Sequence, residues 1–127
     1  MKKVVGIGGI FFKSENPEKL NEWYKENLGI PFEPHGAALF KWRQLENPEN
    51  ECVTVWSLFK SDTNYFDPSK QDFMVNYIVD DLDELLKDLK SNGIEQVGEI
   101  EEFDYGRFAW IIDPEGNKIE LWQPTKG

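Results

Sequence analysis

The sequence predicts an α+β domain made of two strand–helix–strands units, each βαβββ. Three observations carry this. Two helices with apolar stripes, each opened by a capping residue and closed near a glycine, begin about 65 residues apart, half the length of the 127-residue chain. An extended apolar run precedes each helix, and several short extended runs follow it. No linker or low-complexity stretch divides the two halves, so residues 1–127 read as a single domain, with module one at about 1–61 and module two at about 72–127.

The first strand, Val4–Lys13, contains "GIGGIFF" (Gly6–Phe12). A dinucleotide loop needs G-x-G-x-x-G at the opening of a helix, where backbone N–H groups meet phosphate. Here the third glycine position is Phe11, and the chain stays extended, so this is a strand that carries glycines. Glycine inside a strand marks close approach of another backbone or a ligand. Asn16-Pro17 then starts a helix, with Leu20, Trp23, Tyr24 and Leu28 at helical spacing and Gly29 as the stop. Strands follow at Ala37–Gln44 and Cys52–Phe59, with a short one near Phe32. The junction is the loop Ser61–Asp72.

Module two repeats the order. Strand Phe73–Val79 leads to Asp81, which with Glu84 forms a capping-box-like pair. Leu82, Leu85, Leu86 and Leu89 make the stripe of a helix running from Leu82 to about Ser91, and Gly93 ends it. Strands are expected at Glu95–Glu101, Gly106–Ile112 and Lys118–Trp122, the last two joined by the tight turn Asp113-Pro114-Glu115-Gly116-Asn117.

Fourteen basic and twenty-four acidic side chains give a net charge of −10, which argues against nucleic acid and anionic membrane surfaces as partners. The single cysteine, Cys52, allows no internal disulfide and is expected to be buried and inert. The only histidine, His35, lies on a connecting loop. No apolar run approaches a membrane span, and the N-terminus lacks a secretory pattern, so a cytoplasmic protein is expected.

The ending "YGRFAWIIDPEGNKIELWQP", with its D-P-E-G-N-x-I-E-L motif from Asp113 to Leu121, resembles the vicinal oxygen chelate superfamily, as do "NYIVDDLDELL" (Asn76–Leu86) and "PEKLNEWYKENLGI" (Pro17–Ile30). That superfamily includes glyoxalase I, bleomycin-resistance proteins and extradiol dioxygenases. The resemblance covers essentially the whole chain. It implies that each module curls its mixed sheet into a half-open cup and that the paired cups form a ligand cleft. It also implies metal ligands on the first strand of each module, usually His or Gln, and a Glu on each last strand. Counting back seven residues from the caps Asn16 and Asp81 reaches Gly9 and Met74; the last strand of module one offers Val55 or Trp56. Glu120 alone keeps the ligand type. One carboxylate cannot hold a catalytic divalent ion, which typically takes three protein ligands. No metal and no other cofactor is therefore expected.

Strand alternation places Lys118 and Trp122 on the face of Glu120, Asn76 and Ile78 with Met74, and Ile7, Phe11 and Lys13 with Gly9; Trp56 shares its face with Thr54 and Leu58. The candidate ligand-binding set is Phe11, Trp56, Met74, Asn76, Arg107, Glu120 and Trp122, an aromatic pocket with an amide and a carboxylate. The three aromatic candidates could equally be core. Arg107, near the expected cleft mouth with Tyr105, could pair a ligand carboxylate. Glu120 is the one candidate catalytic residue, unless Lys118, Arg107 or a backbone donor ties it down. The expected function is binding of a small aromatic or cationic molecule without a catalytic metal. The alternative is a glyoxalase-like lyase or isomerase using Glu120 as base or metal ligand; a ligand-sensing subunit without chemistry is a third reading. The superfamily resemblance, together with the apolar residues of an open cup, also implies a homodimer.

Overall fold

The structure, a computed structural model, describes residues 3–125. In chain order its elements are β1 (Val4–Ser14), α1 (Pro17–Leu28), β2 (Ala38–Arg43), β3 (Glu51–Lys60), β4 (Phe73–Val79), α2 (Leu82–Ser91), β5 (Glu101–Phe103), β6 (Gly106–Ile112) and β7 (Lys118–Pro124). The seven strands form one mixed sheet in the order β2-β3-β1-β4-β7-β6-β5. The two modules meet where β1 runs antiparallel to β4. Within each module the first strand lies parallel to the last, β1 on β3 and β4 on β7. The duplication expected from the order of caps is thus visible in the strand pairing.

Both helices start where their caps predict. The Asn16 side chain accepts from Lys19 N–H and the Asp81 side chain from Glu84 N–H. Gly29 closes α1 in the left-handed conformation at φ 67°. The helices differ in how deeply they pack. α2 buries Leu82, Leu85 and Leu86 against Val79, Ala109, Ile111 and Leu121. α1 buries no residue fully; Tyr24 packs edge-on to Phe12 and Trp56.

Three sequence expectations change. The run Glu95–Glu101 is not a strand: Gln96 makes one isolated bridge to Ile111, and pairing resumes only at Glu101–Phe103. Gly98, at φ 74°, turns the chain out of the extended path between them. The short strand near Phe32 is a single bridge to Ala38. Cys52 is half-buried, its sulfur near the Gln44 amide at 3.6 Å.

The other face of the sheet holds a second core of Phe11, Phe66, Met74, Ile78, Phe108, Trp110 and Trp122. Phe66 reaches it from the junction loop and is fully buried. Six core residues therefore come from strands and one from a loop that has no periodic pattern. Phe66→Ala should destabilise the fold by about 3–5 kcal/mol in chemical denaturation, the cost of an aromatic-to-alanine cavity in a packed core. A loss below about 1 kcal/mol would show that the loop is not part of the core.

Candidate functional site

A row of four residues crosses the middle of the sheet. Val55 on β3 pairs with Gly9 on β1, Gly9 with Asn76 on β4, and Asn76 with Glu120 on β7. The residue of β4 on this row is thus Asn76 and not Met74, two positions earlier. The spacing from row to cap differs between modules because β1 runs on to Ser14 while β4 ends at Val79. The β3 residue on the row is Val55. Trp56 points to the other face, among Phe12, Tyr24 and Phe32.

The pairing of β1 with β4 shifts register twice, between Val4 and Gly6 and between Ile7 and Gly9. Such bulges put two residues against one and break strict alternation. Ile7 consequently falls out of phase with Phe11 and is 45% exposed, not on the cup face. Gly8 and Gly9 both abut the cleft floor. A Cβ at Gly8 would overlap Asn76 Oδ1 and lie 2.8 Å from Ile78 Cγ1; one at Gly9 would lie 2.5 Å from the Phe11 ring. The glycines therefore allow Asn76 and Phe11 to lie flat against β1.

Glu120 is 2% exposed. Its Oε1 accepts from Asn76 Nδ2 at 2.6 Å, and its Oε2 accepts from Tyr65 Oη at 2.5 Å and from Trp110 Nε1 at 2.8 Å. Three neutral donors from three different segments thus hold the carboxylate. The Asn76 amide orientation follows, because only the NH2 end can face a carboxylate. Its Oδ1 is buried without a partner. Burial, and next the Glu120 carboxylate, push the Tyr65 hydroxyl far above its ordinary value. Lys118 donates from Nζ to the Tyr65 carbonyl at 2.8 Å and lies over the Tyr65 and Trp110 rings. Burial pushes its ammonium below the ordinary lysine value, against the pull of the Glu120, Asp67 and Glu101 carboxylates.

Above this floor opens a cleft of about 350 Å³ lined by Phe11, Val55, Tyr65, Phe108 and Trp122, with Glu101, Phe103 and Tyr105 at its rim. Of the candidates, the structure brings Phe11, Asn76, Glu120 and Trp122 together here. Met74 is sealed in the core beneath. Arg107 is turned away from the cleft, pairing with Asp83 of α2 at 2.9 Å and with Glu102 of β5 at 3.1 Å. A wider groove of about 1010 Å³ adjoins the cleft at Tyr105 and Trp122 and runs toward β2 and β3. It does not reach Glu120, so the smaller cleft carries the chemistry. Tyr65 and Trp110, which fix Glu120, were not among the sequence candidates. For Trp110 a signal existed, since the Asp113–Asn117 turn sets it opposite Glu120.

The residues of the row do not fit a divalent metal. Valine and glycine offer no side-chain ligand, and the one ligating atom of Asn76, Oδ1, is buried beneath Gly8. No group of three or more His, Cys, Asp or Glu residues able to hold a metal occurs among the described residues.

A glyoxalase-like domain model matches residues 9–122, and the chain belongs to that family. Its fold is shared by solved members of the glyoxalase/bleomycin-resistance/dioxygenase superfamily. Methylmalonyl-CoA epimerase from Mycobacterium tuberculosis is 20% identical with a TM-score of 0.62, the alignment covering 99% of this chain and 92% of that one. The 2,3-dioxygenase LapB from Pseudomonas sp. KL28 is 19% identical with a TM-score of 0.61, over 99% of this chain and 43% of that one. A superfamily member from Vibrio splendidus 12B01 is 10% identical with a TM-score of 0.57, over 92% and 97%. No curated protein matches the sequence. No helix among the described residues is long and apolar enough to cross a membrane.

The Tyr65 shift makes a pH prediction. The folded hydroxyl holds its proton above 10.0, the value at which the unfolded chain releases it. Its contribution to stability is therefore complete below pH 10 and declines as pH rises beyond it. Urea denaturation at pH 9 and pH 11 should show a larger loss for the wild type than for Tyr65→Phe. Equal losses would mean that Tyr65 titrates alike in both states.

Proposed function

We propose that this protein binds a small organic molecule, aromatic or cationic, in the cleft above Glu120, and does so without a catalytic metal. One observation carries the reading: the four-residue row Val55–Gly9–Asn76–Glu120 supplies a single carboxylate, already held by three neutral donors. The volume and apolar walls of the cleft suit a small ligand. A lyase or isomerase using Glu120 as base would need an oxygen free to take a substrate proton. Oε2 already accepts two hydrogen bonds and Oε1 one, which leaves a single lone pair for that task. The neighbouring epimerase fold raises an acyl-CoA ligand as a rival. Phosphates and a carboxylate would there meet Glu101 and Glu120 with no lysine or arginine lining the cleft.

As purified, the protein should contain no stoichiometric zinc, nickel, manganese or iron by elemental analysis. One equivalent of metal that is lost in Glu120→Gln would replace the binding reading with the enzyme.

We also propose that the chain works as a homodimer. Support comes from apolar surface left bare outside the cleft: α1 buries nothing fully, Trp23 is 52% exposed, and Ile7 and Val4 project from the outer face of β1. Light scattering at micromolar concentration should give twice the 14.8 kDa of one chain. A mass of one chain even at high concentration would rule the dimer out.

A further inference from the structure

We infer that the cleft selects a fully substituted ammonium, a quaternary nitrogen on an apolar or aromatic body, over neutral, anionic and primary-ammonium ligands of the same size. This deepens the small-molecule reading above and rests on it.

The first argument is charge. Glu101 at the rim and Glu120 at the floor line the cleft, and no lysine, arginine or histidine does. The two cations that could have balanced them are engaged elsewhere. Arg107 is held by Asp83 and Glu102, and Lys118, though within the field of Glu120 and Glu101, donates to the Tyr65 carbonyl and lies over the Tyr65 and Trp110 rings without lining the cleft. Low-dielectric walls strengthen the field of carboxylates that line a cleft.

The second argument is the wall. Phe108 stacks on Trp122 at 5.7 Å and 7°, and Phe103 stacks on Tyr105 at 5.3 Å and 5°. Phe108 meets both Phe103 and Tyr105 edge-on, which joins the pairs into one aromatic surface. Trp122 Nε1 donates to the Tyr105 carbonyl at 3.0 Å and pins that surface to the β5–β6 turn. Aromatic surfaces of this kind attract weakly hydrated cations.

The third argument is the lack of acceptors, and it separates the classes of cation. A primary ammonium has three N–H donors to satisfy once water is stripped away. At the floor, Oε2 of Glu120 accepts twice, Oε1 is covered by Asn76, and Asn76 Oδ1 is shut beneath Gly8. Against three N–H donors the floor offers only a remaining lone pair on Oε1 and one on the Tyr65 hydroxyl, while Glu101 and the Tyr105 hydroxyl accept at the wet rim. A quaternary nitrogen carries no N–H, so it loses nothing at such a floor while keeping the full electrostatic attraction.

Calorimetric titration with benzyltrimethylammonium, its neutral isostere neopentylbenzene, benzylamine and benzoate tests this on the intact protein. The quaternary probe should bind at least about tenfold more tightly than each of the other three, the range of a desolvated cation–π contact. Tyr105→Ala, an exposed rim position, and Glu120→Gln should each weaken it severalfold, with thermal melts showing that the variants fold. If neopentylbenzene binds equally well, the apolar cleft stands and the cation inference falls. If benzylamine binds best, a donor-accepting floor replaces the sealed one. If no probe binds, the small-molecule reading falls with it.

Discussion

The hydrogen-bonded carboxylate of Glu120 organises this molecule. A carboxyl group that is 2% exposed would cost several kcal/mol if left without hydrogen-bond partners. Its three donors come from the junction loop, from β4 and from β6. Satisfying one side chain on β7 therefore ties β4 and β6 to it across the cleft floor of module two. It also fixes the loop that joins the modules, because Tyr65 cannot reach Oε2 unless Phe66, its neighbour, is seated in the core. Lys118 closes the same loop from outside by donating to the Tyr65 carbonyl. The polar centre and the apolar core thus depend on each other.

The two glycines on β1 are the counterpart of that centre. Asn76 can lie flat enough to reach Glu120 only because Gly8 presents no Cβ. The bulge that brings Gly8 and Gly9 to the same face costs β1 its alternation. What β1 gives up in ligands it gives to packing. Where metal-binding relatives are expected to carry a side chain, this chain carries a close backbone contact that orients an amide.

Much of this was legible in the sequence. The caps at Asn16 and Asp81 located both helices, and the repeat of caps gave the two-module order, because capping chemistry is local. The Asp113–Asn117 turn was equally local, with Asp113 accepting from the Glu115 and Asn117 N–H groups. Errors arose where the answer depended on pairing across the sheet. Alternation along β1 failed at its bulges, which misplaced Ile7. Counting from the caps gave Met74 in place of Asn76, because β1 and β4 extend unequally past the row. Glu95–Glu101 has the composition of a strand, and only the positive φ of Gly98 breaks it. Tyr65 and Phe66 lie in a loop without period, and nothing local marks them as core or as donors. Trp56 and Val55 are adjacent, and only the register with Gly9 decides which faces the cleft.

The asymmetry between the modules has a physical origin in the same residues. Module two holds a buried polar centre on one face of its sheet and a leucine-packed helix on the other, so its strands are fixed from both sides. Module one has neither. Its row residues are glycine and valine, and α1 rests on aromatic edges with no side chain fully buried. Charge and hydrogen bonding are therefore concentrated in one half of the cleft, and module one contributes mainly apolar surface through Phe11 and Val55. A ligand in such a cleft meets a polarised environment with the negative end fixed on module two. The fold provides the cleft, and these few substitutions along one row determine its electrical character.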